Sequence, residues 1–562
     1  MTLHSVKRKK YGKDQKRQVK EPVDYNEALF QSEFAAFSIE EVPRHELRSH
    51  SMPASVALSL IKQELELDGN PALNLASFVS TRYEDEVRQL CDHVLSVNWI
   101  DFDEYPQTVD IHNRCVSMIA HLFHAPVGEA EEGVGTGTVG SSEAIMLAVL
   151  AMKWRWRKAR RAAGKDASRP NMVMGSEVQV CWEKAMMYFD VEPKYVPLHD
   201  DVYVMEPERA LELCDENTIG VCGILGTTYT GEFEDIERLD ALLTKKNKET
   251  GWDIGIHVDA ASGGFVAPFV YPNLKWDFAL RNVRSINVSG HKYGLAPPGI
   301  GWVLWRSAEY LPDELVFHVN YLGADQASFT LNFSRGSAQI IASYYLLLRL
   351  GRSGYTTVMR TLKELAEYFA DAIVASGRFY LLSDRKSLPL VAFAMPDEDR
   401  ERVGFDEYAL AAELRKRGWI VPAYTLAPKL EHRKLLRVVV RIGFTRDRAE
   451  MLLQDIDHTY NHLQHIAGVM RVAQQSIESG AVKASLPPES HHAATGVGKT
   501  SGAGDLLEEL TADFKHALHA VSARNTRNDT KKNAREHVEV PQKPRVVLGH
   551  NGKKTKRSGA VC

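Results

Sequence analysis

Short, nearly continuous apolar runs recur through the middle of the chain: NMVMG (171–175), TIGVCGILG (218–226), IGIHVDAA (254–261), SINVSG (285–290) and GWVLW (301–305). Runs of this length, without polar alternation, predict strands buried on both faces. Between them lie longer stretches with helical spacing, such as SSEAIMLAVLAMKWRWRKARRAAGK from Ser141. The alternation predicts a large α/β domain over 61–349 around a mostly parallel sheet. Before it, SVALSLIKQELELDG predicts a helix ending at Gly69.

The pattern changes over 350–470. SYYLLLRLGRSGYTTVMRTLKELAEYFADAIVAS reads as long helix. Then come a strand (LPLVAFAM), a helix (FDEYALAAELRKRG), a strand (LLRVVVRIGF) and a helix (RAEMLLQDIDHTYNHLQHIA). This predicts a small C-terminal α+β domain. Residues 1 to about 30 read as a solvated basic arm, within an N-terminal segment set at 1–60. Residues 471–562 are rich in Ser, Gly, Ala, Asn and Lys and read as disordered. Within them, Leu507, Leu510, Phe514, Leu518 and Val521 keep helical spacing, which predicts a helix over 504–522.

A net charge of −4 gives no global field for nucleic acid or an anionic membrane. The basic run KWRWRKARR falls on a predicted helix and reads as a solvated face with two packed tryptophans. No apolar stretch is long enough to span a bilayer. The N-terminus lacks the apolar core of a secretory signal and carries Asp14, so a cytoplasmic location is expected. The six cysteines show no paired spacing, and His112, His121 and His124 lack metal-ligand spacing. Neither a disulfide framework nor a metal site is expected. GVGKT at 496–500 has no preceding strand and reads as chance.

The chemistry concentrates at three strand and helix ends. SINVSGHKYGLAPPG brings Ser289, Gly290, His291 and Lys292 to the end of an apolar run. Burial of an ammonium there lowers its pKa, which suits Schiff-base chemistry. A lone lysine at a strand end reads more simply as a surface residue, so the case needs the other two motifs. In HVDAASGG, Asp259 ends another apolar run and only small residues come after it. A carboxylate so placed wants a cationic partner, and a protonated pyridine ring fits that space. In VGTGTVGSSEAIMLAV a glycine-rich turn leads to Ser141 and Ser142 at a helix start, an anion site. Phosphate site, carboxylate and lysine in this order point to pyridoxal 5′-phosphate.

Longer motifs carry a resemblance: NLASF, NWIDFDEYPQT, GTVGSSEAIMLA, VQVCWEKA, TTYTGEFE, HVDAASGGFVAPF, SGHKYGLAPPG and NFSRG. Over about 45–465 the chain resembles the fold-type I, group II pyridoxal phosphate decarboxylases, and more closely the bacterial, plant and fungal glutamate decarboxylases. The resemblance implies an aminotransferase-like fold and α-decarboxylation of L-glutamate to 4-aminobutyrate and CO2. It implies that Lys292 is the Schiff-base lysine and that His291, Ser141 and Ser142 hold the phosphate. By the same matching, Gln179 lies over the ring, Thr228 touches the cofactor and Asp259 meets the pyridine nitrogen. Ser289 falls inside the lysine motif and joins the expected cofactor contacts. Ser334 matches a phosphate ligand from a neighbouring subunit, which implies a homodimer or a dimer-based higher oligomer. Arg437 matches the arginine that holds the α-carboxylate, and Ser77, Phe78, Asn98 and Asp101 match the segments that hold the distal carboxylate. The polar character of that pocket favours an acidic over an aromatic amino acid. Decarboxylation of another amino acid, or a catalytically silent binding protein on the same fold, are the competing readings. Plant relatives carry a calmodulin-binding tail, usually with tryptophan. This tail has none, and its helix carries Glu508, Glu509 and Asp513, so a short helix that packs or stays loose is the plainer reading.

Overall fold

The computed structural model describes residues 44–49, 51–128, 131–319, 326–384 and 386–478. These lie in a compact unit over 1–482; a second unit over 483–562 lies outside the described residues, as do the basic arm and the helix expected at 504–522.

A seven-stranded sheet forms the centre. Its strands are β1 (Val134–Thr138), β2 (Asn171–Gly175), β3 (Glu192–Val196), β4 (Thr218–Ile224), β5 (Gly255–Asp259), β6 (Val283–Ser289) and β7 (Gly301–Trp305). In space the order is β1-β7-β6-β5-β4-β2-β3. From β6 to β3 every neighbour is parallel, whereas β7 runs antiparallel to both β6 and β1. Strands β2, β4, β5, β6 and β7 are buried along their whole length; β2, β4 and β7 are almost wholly apolar, whereas β5 buries His257 and Asp259 and β6 buries Arg284, Ser285, Asn287 and Ser289. Helices including Pro106–Leu122, Ser141–Ala162 and Ile236–Thr250 pack against the sheet.

Two strands of this sheet escape the sequence pattern. VGTGT, read as the start of a glycine-rich turn, is β1; only Val139 and Gly140 form the turn. It pairs with β7 at the sheet edge, where Gly lets the backbones close up: a Cβ on Gly135 would stand 2.5 Å from the Val303 carbonyl. The polar EPKYV becomes the other edge, β3, because it pairs with β2 on one side only. A short hairpin comes after β7, with β8 (Phe317–Val319) and β9 (Gln326–Ser328).

The helix Ala338–Ala375 leads out of this layer, broken at Gly351. The second sheet is antiparallel, in the order β10 (Tyr380–Leu381), β11 (Leu390–Ala394), β13 (Lys434–Val439), β12 (Ala423–Thr425). The Asn74–Ala76 stretch docks on it: Leu75 N–H donates to the Ile420 carbonyl and Val439 N–H to the Leu75 carbonyl, both at 3.0 Å. One large apolar cluster joins this sheet to the main one. The tryptophan pair of the basic helix packs partly, as expected. Trp156 Nε1 donates to the Glu216 carbonyl, and Arg155 and Arg160 are spent on ion pairs with Asp253, Glu309 and Glu216. No helix among the described residues is long and apolar enough to cross a membrane.

Candidate active site

Parallel strands deliver the loops beyond their C-terminal ends to one edge of a sheet, where ligands bind in open α/β folds. Here β2 leads to Gln179, β4 to Thr228, β5 ends on Asp259, and β6 ends on Ser289, three residues before Lys292. Strand β1 reaches the same edge, since Thr138 and Ser289 both pair with Gly301 across β7. A Cβ on Gly301 would lie 2.5 Å from the Gly140 carbonyl carbon and 2.7 Å from the Ser141 nitrogen. Gly301 therefore lets the turn lie flat over β7, and Gly140 takes a φ of 134° open only to glycine. The two hydroxyls of Ser141 and Ser289 then meet at 2.6 Å.

No side chain caps the helix that begins at Ser141. Its first-turn carboxylate, Glu143, is buried and spent on other amides: Oε2 accepts from Val139 N–H at 2.7 Å, and Oε1 from Leu331 and Asn332 N–H at 2.9 and 3.1 Å. The first amides of the helix stay available for an anion, with Ser142 exposed beside them.

Asp259 is buried and held by three donors. Asn287 Nδ2 at 2.9 Å and Ala261 N–H at 3.1 Å reach Oδ1, and Trp182 Nε1 at 2.9 Å reaches Oδ2. Asn287 is fixed in turn by His257 Nε2 at 2.7 Å. Burial pushes His257 down to about 4, so its ring is neutral at physiological pH. These partners keep the carboxylate oriented without a counter-charge in hydrogen-bond contact.

Lys292 points into the cleft, partly exposed to it, and donates to Ser262 Oγ at 3.1 Å. Burial holds its ammonium below the usual lysine range and Arg437 adds to this, while Asp259 and Cys181 oppose it. The amine lies over the Phe78 ring, 5.3 Å from its centroid, and the Arg437 guanidinium lies 5.0 Å from the same centroid. Both cations thus lie against the same Phe78 ring. Arg437 gives Nη1 to the Thr228 carbonyl at 2.5 Å and Nη2 to the Ala76 carbonyl at 2.7 Å, and its Nε has no partner. Gln179 Nε2 donates to Thr228 Oγ1 at 3.0 Å, so these two loops touch over the cleft. His291 accepts from Ile300 N–H at 3.3 Å and flanks Gly140; burial and Lys292 both lower its pKa.

Three expected residues gather elsewhere. Asn98 Nδ2 donates to Asp101 Oδ1 at 3.2 Å, and Asn98 Oδ1 accepts from Arg335 N–H at 3.0 Å, beside an exposed Ser334. Among the described residues no hydrogen bond links this group to Ser77, Phe78 or Lys292. Ser77 is close to the cleft by sequence, but its hydroxyl accepts from Val79 N–H at 3.1 Å. The clustered histidines have structural partners: His112 Nε2 accepts from Gly137 N–H at 2.8 Å, His121 meets the Ser117 carbonyl, and His124 pairs with Asp277.

Trp182, Asn287 and Ser262, and Tyr424 whose ring centroid lies 5.3 Å from the Arg437 guanidinium, were not legible as site residues. Trp182 lies in VQVCWEKA, yet nothing in that run says its indole turns toward β5.

The residues present fit pyridoxal phosphate. They offer an anion-binding helix start, an oriented buried carboxylate and a lysine whose amine donates to a serine. A family model described as the pyridoxal-dependent decarboxylase conserved domain matches residues 50–396. A glutamate decarboxylase of Solanum lycopersicum is 54% identical over 440 residues, 78% of this chain and 87% of that one. Glutamate decarboxylase 1 of Arabidopsis thaliana is 53% identical over 425 residues, 76% of this chain and 84% of that one. The solved glutamate decarboxylase of Lactobacillus brevis superposes with a TM-score of 0.73 at 43% identity, covering 76% of this chain and 96% of that one. The chain belongs to the pyridoxal-dependent decarboxylase family, alongside the glutamate decarboxylases.

Proposed function

We propose that the protein converts L-glutamate to 4-aminobutyrate and CO2, with one proton consumed, using pyridoxal phosphate held at the cleft of Lys292 and Asp259. The observation that carries this reading is the pair of cations over Phe78: Lys292 as the point of covalent attachment and Arg437 as the carboxylate receptor. When bound, pyridoxal phosphate takes up the electron pair left as the bond from Cα to the carboxylate breaks. Asp259 holds the proton on the ring nitrogen. Ser141, Ser142 and the free amides of the helix start hold the phosphate, with Ser289 and His291 beside them. Gln179 and Thr228 cover the ring. Arg437 turns the α-carboxylate out of the ring plane, with its unpartnered Nε as the free donor.

Ser334, Asn98 and Asp101 serve the cleft of a neighbouring subunit, in a homodimer or a larger dimer-based assembly. Their grouping on a segment apart from Lys292, with Ser334 exposed, supports this. The distal carboxylate of glutamate then meets Ser77 from one subunit and Asn98 and Asp101 from the other. The test is a panel of acidic and aromatic amino acids, with released CO2 and amine measured for wild type and Lys292→Ala. Glutamate turnover by the wild type and its loss in the variant are expected; turnover by Lys292→Ala, or preference for an aromatic amino acid, refutes the proposal.

A further inference from the structure

Glu177 and Glu234 are 1% and 5% exposed, and no step of the decarboxylation uses them. The two carboxyl groups are close enough to perturb each other: the charge of Glu177 adds to the rise in the Glu234 pKa. Glu234 Oε2 accepts from Ile224 N–H at 2.7 Å. Both oxygens of Glu177 and Oε1 of Glu234 have no N–H or O–H donor in good geometry. The groups around them bring no cation. Glu232 and Tyr229 face them from the turn after β4, the Cys222 thiol from β4 itself, and the amide of Met205 from the segment before the helix Pro207–Leu213. Among the described residues neither glutamate has an ion-pair partner. Two buried neighbouring carboxylates without a cation cannot both be charged, so one of the pair stays protonated. Burial pushes Glu177 up to about 7 and raises Glu234 as well, the facing Glu177 adding to the latter.

The pair sits at the roots of two loops that meet over the cleft. Glu177 precedes Gln179 by two residues. Glu234 closes the turn that carries Thr228, with Glu234 N–H donating to the Ile224 carbonyl and Thr227 N–H to the Glu232 carbonyl. The loop tips are joined by the hydrogen bond from Gln179 to Thr228, and Thr228 also receives Arg437.

We propose that Glu177 and Glu234 share one proton, and that this proton clamps the Gln179 and Thr228 loops together, so that cofactor retention weakens with rising pH as the pair ionises. Both glutamates are positioning residues: they act through Gln179 and Thr228, not on the reacting atoms. The inference rests on the reading of Gln179 and Thr228 as cofactor contacts.

Glu177→Gln replaces the shared proton by an amide N–H that does not titrate in this range, and Glu234→Gln does the same from the other side. Two quantities are measured from pH 5 to 8 for wild type and both variants. The first is the rate at which pyridoxal phosphate leaves the holoenzyme after dilution, followed by absorbance. The second is the Tm of the apoprotein. Expected for the wild type is cofactor release that quickens roughly tenfold as pH rises, a slope flattened in at least one variant; the apoprotein Tm, which the buried His112 and His257 raise over the same range, gains less with pH in the wild type than in that variant. Parallel slopes for wild type and whichever variants fold overturn the shared proton. Gln179→Ala separates the two layers: if it leaves cofactor release unchanged at pH 5, the reading of Gln179 as a ring contact fails, and with it the link from proton to cofactor. Tm slopes that differ from wild type, with cofactor release as pH-dependent as in wild type, overturn the clamp itself.

Discussion

Replacing Asp259 by Asn keeps the size of the side chain and removes its charge. Both oxygens of Asp259 accept hydrogen bonds, Oδ1 from Asn287 and Ala261 and Oδ2 from Trp182. An amide supplies one oxygen, so whichever way it flips, its NH2 faces a donor. A buried donor left without an acceptor costs roughly 1–3 kcal/mol, which lowers the Tm of the apoprotein by a few degrees. The larger loss is electrostatic. A carboxylate about 3 Å from a ring-nitrogen proton contributes ~5 kcal/mol at an effective dielectric constant of about 20. If half of that acts on the transition state, kcat falls roughly 70-fold. Asp259 is also the leading influence that holds the Lys292 pKa up against burial and Arg437, so the amine of the variant titrates at lower pH than that of the wild type. The assay combines CO2 release under saturating glutamate with a pH titration of the cofactor absorbance and an apoprotein melt. Asp259→Asn retaining more than about one-third of wild-type kcat with the cofactor bound would refute the role given to this carboxylate.

The same geometry makes two further outcomes testable. Arg441, 3% exposed, gives Nε to the Ser77 carbonyl and Nη2 to the Pro71 carbonyl, each at 3.0 Å, and also bonds the Asn74 carbonyl and the Thr81 hydroxyl. Arg441→Lys cannot reproduce this fork, so the Ser77–Phe78 loop loosens and KM for glutamate rises roughly tenfold with a smaller change in kcat; steady-state kinetics check it. His112 is buried between Trp99 and Trp302, and burial pushes it down to about 4 from an ordinary 6.5. The unfolded chain binds its proton first, so this stability is present above about pH 6.5 and is lost as pH falls toward 4, ~3 kcal/mol in all. Acid melts of His112→Gln should show a shallower decline in Tm than the wild type between those limits.

The apolar runs determined the architecture by themselves. A strand buried on both faces is mostly apolar, so β2, β4 and β7 announce themselves in one dimension, and β5 and β6 do so less sharply because they also bury His257, Asp259, Arg284 and Asn287. The order of phosphate turn, carboxylate and lysine was equally legible, because each is a local motif at the end of such a run. Edge strands were not. β1 and β3 exist through pairing with β7 and β2, and their own residues carry little pattern. Contacts across the sheet were also beyond reach of spacing. Trp182 meets Asp259 across 77 positions, Arg437 meets Ala76 across 361, and Gly301 matters only because the Gly140 turn lies on it. Nor does spacing say which segment holds Asn98 and Asp101, which within one chain are tied to the Arg335 segment. Local chemistry depends on neighbours along the chain, which the sequence prints in order. Which carboxylate ends up buried opposite another, as Glu177 does against Glu234, depends on packing between segments far apart in that order, and only the tertiary structure decides it.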